Sequence, residues 1–325
     1  MPRFRICFSD YLPGEPRGGE RESTLSQDQL PPEVTFQGSL EEARKEAERI
    51  NIQDYSGDWR TGIERDGLRV VLLSGPSCVG KGPVVAGIDT FFPDIDYSTV
   101  PVIKAKESRS KGPRPDEVAW WDNPRYFRTA DEITELGRQY QYAPRYMVGD
   151  CRGLPQAIDL DEMLGAEHDL VLVEAYHTLG SQLRGLTNTL YGSDKISAFI
   201  SPVSEQEIKI WRSQGRNIKS KLREIILDKL KARTKYQGEN PDDQKVSESN
   251  MVRAEGAYSE LQSAPAYTHV LVNQDGEGHP NWNRTPAGRF TARPIGDAWK
   301  VVEAFAEILR TGNTPYAEHW KPNTA

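Results

Sequence analysis

The amino-acid sequence predicts an α/β fold, a three-layer sandwich whose mostly parallel central sheet is covered by helices on both faces. Three observations carry this. Short runs rich in Val and Leu recur along the chain, as strands buried on both faces require. Segments with helical apolar spacing lie between them. A glycine loop ending in Gly80-Lys81 follows the first run directly, and Pro83 then suits the first turn of a helix.

The elements follow in order. Leu12 to Val34 is rich in Pro, Gly, Glu and Ser and reads as loop or disorder. Ser39 and Glu42 form a capping box, and Leu40, Ala43, Ala47 and Ile50 share one face of the short helix that follows. Leu68 to Ser74, Asp169 to Ala175 and Thr268 to Gln274 are the clearest strands; Thr99 to Ala105 and Lys195 to Val203 are weaker ones. Helical spacing covers Asp131 to Tyr140, Ala157 to Leu164, Ser204 to Arg212, Lys219 to Lys235, Glu248 to Ser263 and Ile295 to Arg310. Tyr236 to Ser249 and Gly276 to Arg293 read as mobile loops because of their Gly, Pro and polar content.

Composition narrows the function. The formal net charge of −7 over 325 residues argues against generic binding of nucleic acid or anionic membranes. No apolar run approaches the roughly 20 residues of a membrane helix. Met1 to Asp10 is not followed by the apolar core of a signal peptide, so a cytoplasmic location is expected. Cys7, Cys78 and Cys151 form neither a zinc pattern nor an even disulfide set, and His168, His177, His269 and His279 show no metal spacing.

The chemistry lies in Gly75-Pro76-Ser77-Cys78-Val79-Gly80-Lys81, which fits G-x-x-x-x-G-K. In such a loop, successive backbone N–H groups turn inward onto phosphate oxygens, and the following helix adds partial positive charge. The lysine reaches the outer phosphates. Strand, loop and helix together read as a P-loop NTPase sandwich. The Ser or Thr hydroxyl that usually follows the lysine and ligates Mg²⁺ is absent; Gly82 and Pro83 stand there. Cys78, inside the loop, reads either as a thiol activated by the surrounding positive charge or as a small buried side chain.

Leu72 to Val84, LLSGPSCVGKGPV, resembles the opening of the guanylate kinases. The likeness extends roughly from Leu68 to Asp275. Ser108-Arg109 with Pro113-Arg114-Pro115-Asp116-Glu117 is similar to the family's acceptor-phosphate segment, with an Arg spacing two residues longer. DLVLVEAYHTLG at Asp169 to Gly180, SPVSEQEIKIWRSQGR at Ser201 to Arg216 and YTHVLVN at Tyr267 to Asn273 resemble its later strands and the entry to its lid.

The resemblance implies three parts. Residues 1–66 are an N-terminal extension, partly disordered with one short helix. Residues 67–275 are the kinase domain, with a small acceptor-binding region and a helical lid. Residues 276–325 are a loop and helix packed on it. It also implies a nucleoside-monophosphate kinase that uses ATP and Mg²⁺ and acts on GMP, dGMP or a related monophosphate. The alternatives are a P-loop kinase for another phosphorylated small molecule, or a silent binding module.

Residue by residue, the resemblance puts the donor on Gly75, Pro76, Ser77, Cys78, Val79, Gly80, Lys81 and Gly82, with Asn273 at the adenine. It puts acceptor phosphate on Arg109 and Arg114, with Tyr126 beside it. Glu117 would orient Arg114 or serve as an outer-shell magnesium group. Glu174 would accept from guanine N–H groups or stand near magnesium. Arg212 and Arg216 would close on the transferring phosphate. Arg145, Tyr146 and Asp150 are candidate substitutes where the family's base-binding loop is not legible. Lys229 and Arg233, one turn apart on the next helix, would join the lid or face solvent.

Overall fold

The computed structural model describes residues 3–9, 34–53, 60–108, 113, 117–138, 145–189, 196–322 and 324. The chain divides into two compact units. The first takes Met1–Val70 and Tyr97–Lys195, the second Val71–Asp96 and Ile196–Ala325. The mostly parallel central sheet that the sequence predicts is present with five strands, flanked by helices.

In the first unit, β1 (Arg3–Ser9) pairs antiparallel with β2 (Val34–Gln37) on one side and β3 (Arg60–Arg65) on the other. This sheet is an addition to the single short helix expected before residue 67. That helix, α1 (Leu40–Gln53), starts on the expected capping box and buries Ala43 and Ala47 completely. The segment expected as one strand over Thr99 to Ala105 is two: β5 (Ser98–Val100) and β6 (Val102–Ala105) belong to different sheets. Pro101 between them has no N–H to give a ladder.

β6, β7 (Phe127–Arg128), β8 (Tyr146–Cys151) and β9 (Leu154–Asp159) form a four-stranded sheet in the order β7-β6-β9-β8. Its core of Ile103, Ala105 and Ala157 packs on Ile133 and Leu136 of α3 (Ala130–Leu136). The helix expected over Ala157 to Leu164 is corrected here. β9 runs to Asp159, and only α4 (Leu160–Leu164) is helical, capped by the Asp159 carboxylate on two amides. The β8–β9 turn places Arg152 and Gly153 at φ 56° and 83°, which fixes a tight hairpin. β10 (Leu170–Glu174) pairs parallel with β5 and leads into α5 (His177–Thr189).

The second unit is built on parallel strands. β4 (Arg69–Ser74), whose last four residues open the unit, pairs with β11 (Ile196–Ser201), which pairs with β12 (His269–Val272). All six residues of β11 are buried, so its sequence is a continuous run rather than an alternation. α2 (Lys81–Phe91) packs on α9 (Gly296–Thr311), and Gly87 lets the two approach: a Cβ there would lie 3.0 Å from Val302. α9 buries Ala298, Val301, Val302, Phe305, Ile308 and Leu309, a helical stripe in which each large apolar side chain contributes about 1.5–3 kcal/mol.

α6 (Glu205–Ser213) begins on a Ser204–Glu207 capping box, and α7 (Ile218–Tyr236) pairs with α8 (Gln244–Gln262). Residues 236–249, read as a loop, are helical from Gln244, because Asp243 caps Val246 N–H. After α9, Val270 and Glu318 exchange two backbone hydrogen bonds of 3.0 and 2.8 Å, and Trp320 is buried. No helix among the described residues is long and apolar enough to cross a membrane.

Candidate functional site

The glycine loop lies in the second unit, at the C-terminal end of β4. Ser74 is fully buried and Gly75 turns the chain out of the strand at φ 139°. No other residue fits there: a Cβ would stand 2.4 Å from the Ile200 carbonyl oxygen of β11. Cys78 and Gly80 take left-handed conformations, φ 64° and 95°, and Val79 anchors the loop in the core. These alternations of hand are what turn consecutive amides to one side.

α2 then starts at Lys81 without a side-chain cap. The starts of α3, α4, α6, α7 and α8 are capped by Thr129, Asp159, Ser204, Asn217 and Asp243. The helix behind the glycine loop therefore starts without a side chain on its first amides, and helix starts of that kind can bind anions. Lys81 Nζ donates to the carbonyls of Gly75 and Pro76, at 2.7 and 2.9 Å, and so lies across the loop.

A segment far along the chain braces the loop from behind. Asn273 is fully buried; its Nδ2 donates to the Val79 carbonyl at 2.6 Å and its Oδ1 accepts from Asp275 N–H at 3.1 Å. Both polar ends therefore meet backbone, one in the glycine loop and one in the segment after β12, and the side chain braces the loop. Glu277 N–H donates to the Cys78 carbonyl at 3.0 Å. Trp282, 1% exposed, fills the space against Gly80, where a Cβ would meet its ring at 2.7 Å. Its indole N–H donates to the Asp275 carbonyl at 2.9 Å. The Asp275 carboxylate accepts from Ala298 N–H at 3.0 Å, capping α9, and also holds Asn281 at 2.9 Å. Residues 276–293, read as a mobile loop, contain this packed tryptophan. Gly and Pro marked the absence of regular structure, not the absence of packing.

Burial pushes the Cys78 thiol up to about 11, against the opposing influence of Arg233 and Lys81. Of the two readings of Cys78, the structure favours the buried side chain. Lys229 and Arg233 are both half-buried. Lys229 Nζ donates to the Gln274 carbonyl, and burial holds its ammonium below the ordinary lysine range, partly offset by Asp275. Arg233 pairs with Glu277 at 3.2 Å. Arg212, exposed near the end of α6, donates to the Thr324 carbonyl at 3.0 Å. Arg216 is exposed just before α7.

The acceptor candidates belong to the first unit. Arg109 and Arg114 lie outside the described residues. Glu117 is 9% exposed at the turn before a short 3₁₀ segment, Val118–Trp120. Tyr126 packs on Trp120, with ring centroids 5.2 Å apart, and under the Arg125 guanidinium at 5.5 Å. Glu174 is exposed at the C-terminal end of β10. Arg145 is engaged by Asp159 and Asp161 at 3.5 and 3.4 Å and lies over the Tyr146 ring. Asp150 holds the hairpin turn through Gly153 N–H at 3.1 Å.

Among the described residues no three His, Cys, Asp or Glu side chains are grouped to hold a metal, and Gly82 and Pro83 bring no hydroxyl. Sequence reasoning missed the bracing residues Asp275, Glu277 and Trp282; the one signal available was a tryptophan within a Gly- and Pro-rich stretch.

No protein-family model matches the chain, and no curated protein matches it. Among solved structures it is similar to a guanylate kinase from Anaplasma phagocytophilum, with a TM-score of 0.40 and 12% identity over 76% of this chain and 86% of that one.

Proposed function

We propose that this chain is an ATP-dependent phosphotransferase of the nucleoside-monophosphate kinase type, acting on GMP, dGMP or a related monophosphate. The observation that carries the reading is the uncapped start of α2 behind a loop of alternating hand, with Lys81 across it. Backbone amides and an ammonium converging on one point suit the β- and γ-phosphates of a nucleotide.

On this reading Lys81 leaves the Gly75 and Pro76 carbonyls and neutralises charge on the donor phosphates. Arg212 and Arg216 supply cations for the equatorial oxygens during transfer. Arg109 and Arg114 hold the acceptor phosphate as paired guanidinium forks, with Tyr126 and Glu117 beside them. Glu174 accepts from the N1–H and N2–H of guanine. Positioning and charge neutralisation perform the catalysis, and no covalent intermediate on the protein is required. Residues 67–275 would form the kinase module, with 1–66 and 276–325 as additions.

A second reading, a silent binding module, is favoured by one observation: no hydroxyl follows Lys81 and no acidic cluster replaces it among the described residues. ADP release from ATP-Mg²⁺ against a panel of nucleoside and sugar monophosphates tests both. Turnover with GMP or dGMP alone supports the proposal. Turnover with a sugar phosphate alone moves the acceptor to another class. ATP binding without turnover on any acceptor supports the silent module.

A further inference from the structure

The chain from Gln274 to Gly278 is wedged between α7 and the back of the glycine loop. Two glycines make the fit possible. A Cβ on Gly276 would lie 2.8 Å from Lys229 Cγ and 3.1 Å from the Cys78 carbonyl oxygen. A Cβ on Gly278 would lie 2.9 Å from Arg233 Cα and 3.0 Å from its backbone nitrogen. One face of the wedge is therefore seated on the α7 backbone, and the other on the loop.

Charged groups fix both ends. Arg233, its side chain only 12% exposed, pairs with the Glu277 carboxylate at 3.2 Å. The amide of the same Glu277 donates to the Cys78 carbonyl at 3.0 Å. One residue thus carries an ion pair to α7 on its side chain and a hydrogen bond to the glycine loop on its backbone. Lys229, one turn earlier on α7, donates to the Gln274 carbonyl and secures the start of the wedge. Cys78 is the non-glycine residue of the loop held in the left-handed region, a conformation that persists where surrounding contacts impose it.

We infer that Arg233 and Glu277 are positioning residues that tie α7 to the phosphate-binding loop, so that the placement of α7 and the occupancy of the loop are coupled. The consequence rests on the phosphotransferase reading, in which Arg216 stands immediately before the Asn217 cap of α7. A helix that carries the lid arginine at one end and the loop's brace near the other transmits closure to the phosphate site through the Arg233–Glu277 pair and the Glu277–Cys78 hydrogen bond. Coupling of this kind is reciprocal: a phosphate that fixes the loop also fixes α7.

The test is residue-resolved amide hydrogen exchange on the ligand-free full chain, with ATP affinity measured alongside. The proteins are wild type, Arg233→Ala, Arg233→Lys, Glu277→Gln and Arg310→Ala. Arg310→Ala is the control, breaking the remote Arg310–Asp94 pair. The reporters are Glu277 N–H, bonded to Cys78, and Val84 N–H, bonded to the Gly80 carbonyl at 2.9 Å. Loss of a charge-assisted tie is expected to speed exchange at both by about tenfold and to weaken ATP by about tenfold in Arg233→Ala and Glu277→Gln. Arg233→Lys should recover most of both effects, and Arg310→Ala should show neither.

Unchanged exchange at Glu277 and Val84 in Arg233→Ala overturns the tie. So does an equal rise at the distant Glu318 amide, which would mean general loosening. Faster exchange with unaltered ATP affinity supports the tie and overturns its coupling to the site. If wild type binds no ATP while the two reporters still respond, the tie stands and the phosphotransferase reading falls.

Discussion

Asn273→Ala separates a bracing residue from a base contact. The side chain is fully buried and makes two hydrogen bonds, to the Val79 carbonyl at 2.6 Å and from Asp275 N–H at 3.1 Å. Alanine leaves one buried carbonyl and one buried amide without partners, each worth about 1–3 kcal/mol. The cavity adds a smaller cost, so a loss of about 2–6 kcal/mol is expected, out of a typical total of about 5–15 kcal/mol. In urea the unfolding midpoint should fall by about 1–2 M for a slope of about 3 kcal/mol/M. The freed loop should then bind ATP, GTP and inorganic pyrophosphate more weakly by a similar factor, because Asn273 touches loop backbone and no base. Asn273→Asp should be worse, since it sets a carboxylate oxygen against the Val79 carbonyl. An Asn273→Ala protein with an unchanged urea midpoint, or one that loses ATP affinity while keeping GTP and pyrophosphate, would refute the bracing role and restore the adenine contact.

The remaining predictions concern the loop itself. Lys81→Ala should lower turnover by roughly a hundredfold to a thousandfold, the size of a lost transition-state charge contact, with a thermal midpoint close to wild type by circular dichroism. Near-normal turnover would remove the loop lysine from the mechanism. Native protein at pH 8 should resist iodoacetamide at Cys78 and label only after unfolding, because burial keeps the thiol protonated up to about pH 11. The same shift has a sign in stability. Above the ordinary thiol value of 9.0 the unfolded chain loses a proton that the folded chain keeps, so stability falls as pH rises from about 9 to about 11. Cys78→Ser should lose that part of the slope; an identical slope in both proteins would count against the shift.

The parts of the fold that were legible are those whose signal is local. β4, β10 and β12 read as Val- and Leu-rich runs because both their faces are buried, and the capping box at Ser39 is complete within four residues. β9 was read as helix because the apolar spacing of α4 runs into it; its strand character comes from pairing with β8 across the Arg152-Gly153 turn. The glycine loop was legible as a motif, and its geometry follows from positions that admit no side chain. The brace was not legible. Asn273 and Val79 are 194 residues apart, and no spacing rule reaches that far. Strand-end position suggested a ligand contact for Asn273; its burial against the loop backbone carried no local signal. Lys229 and Arg233 were visible as a one-turn pair of cations, but the carbonyl and carboxylate they meet lie on a different segment.

The pairing of Val270 with Glu318 has a consequence for self-association. β12 is the last strand at its end of the sheet, and an open strand edge offers unmet amides and carbonyls to any other extended chain. Here the outward amide and carbonyl of Val270 are taken by Glu318, and Trp320, Glu205 and Arg212 pin the segment that does so. The tail works as a removable border strip. Proteolytic loss of the residues after Gly312 should leave the glycine loop and its brace in place yet turn β12 into a nucleus for edge-to-edge stacking. Light scattering that grows after limited C-terminal digestion, before any loss of helical signal, is the expected sign.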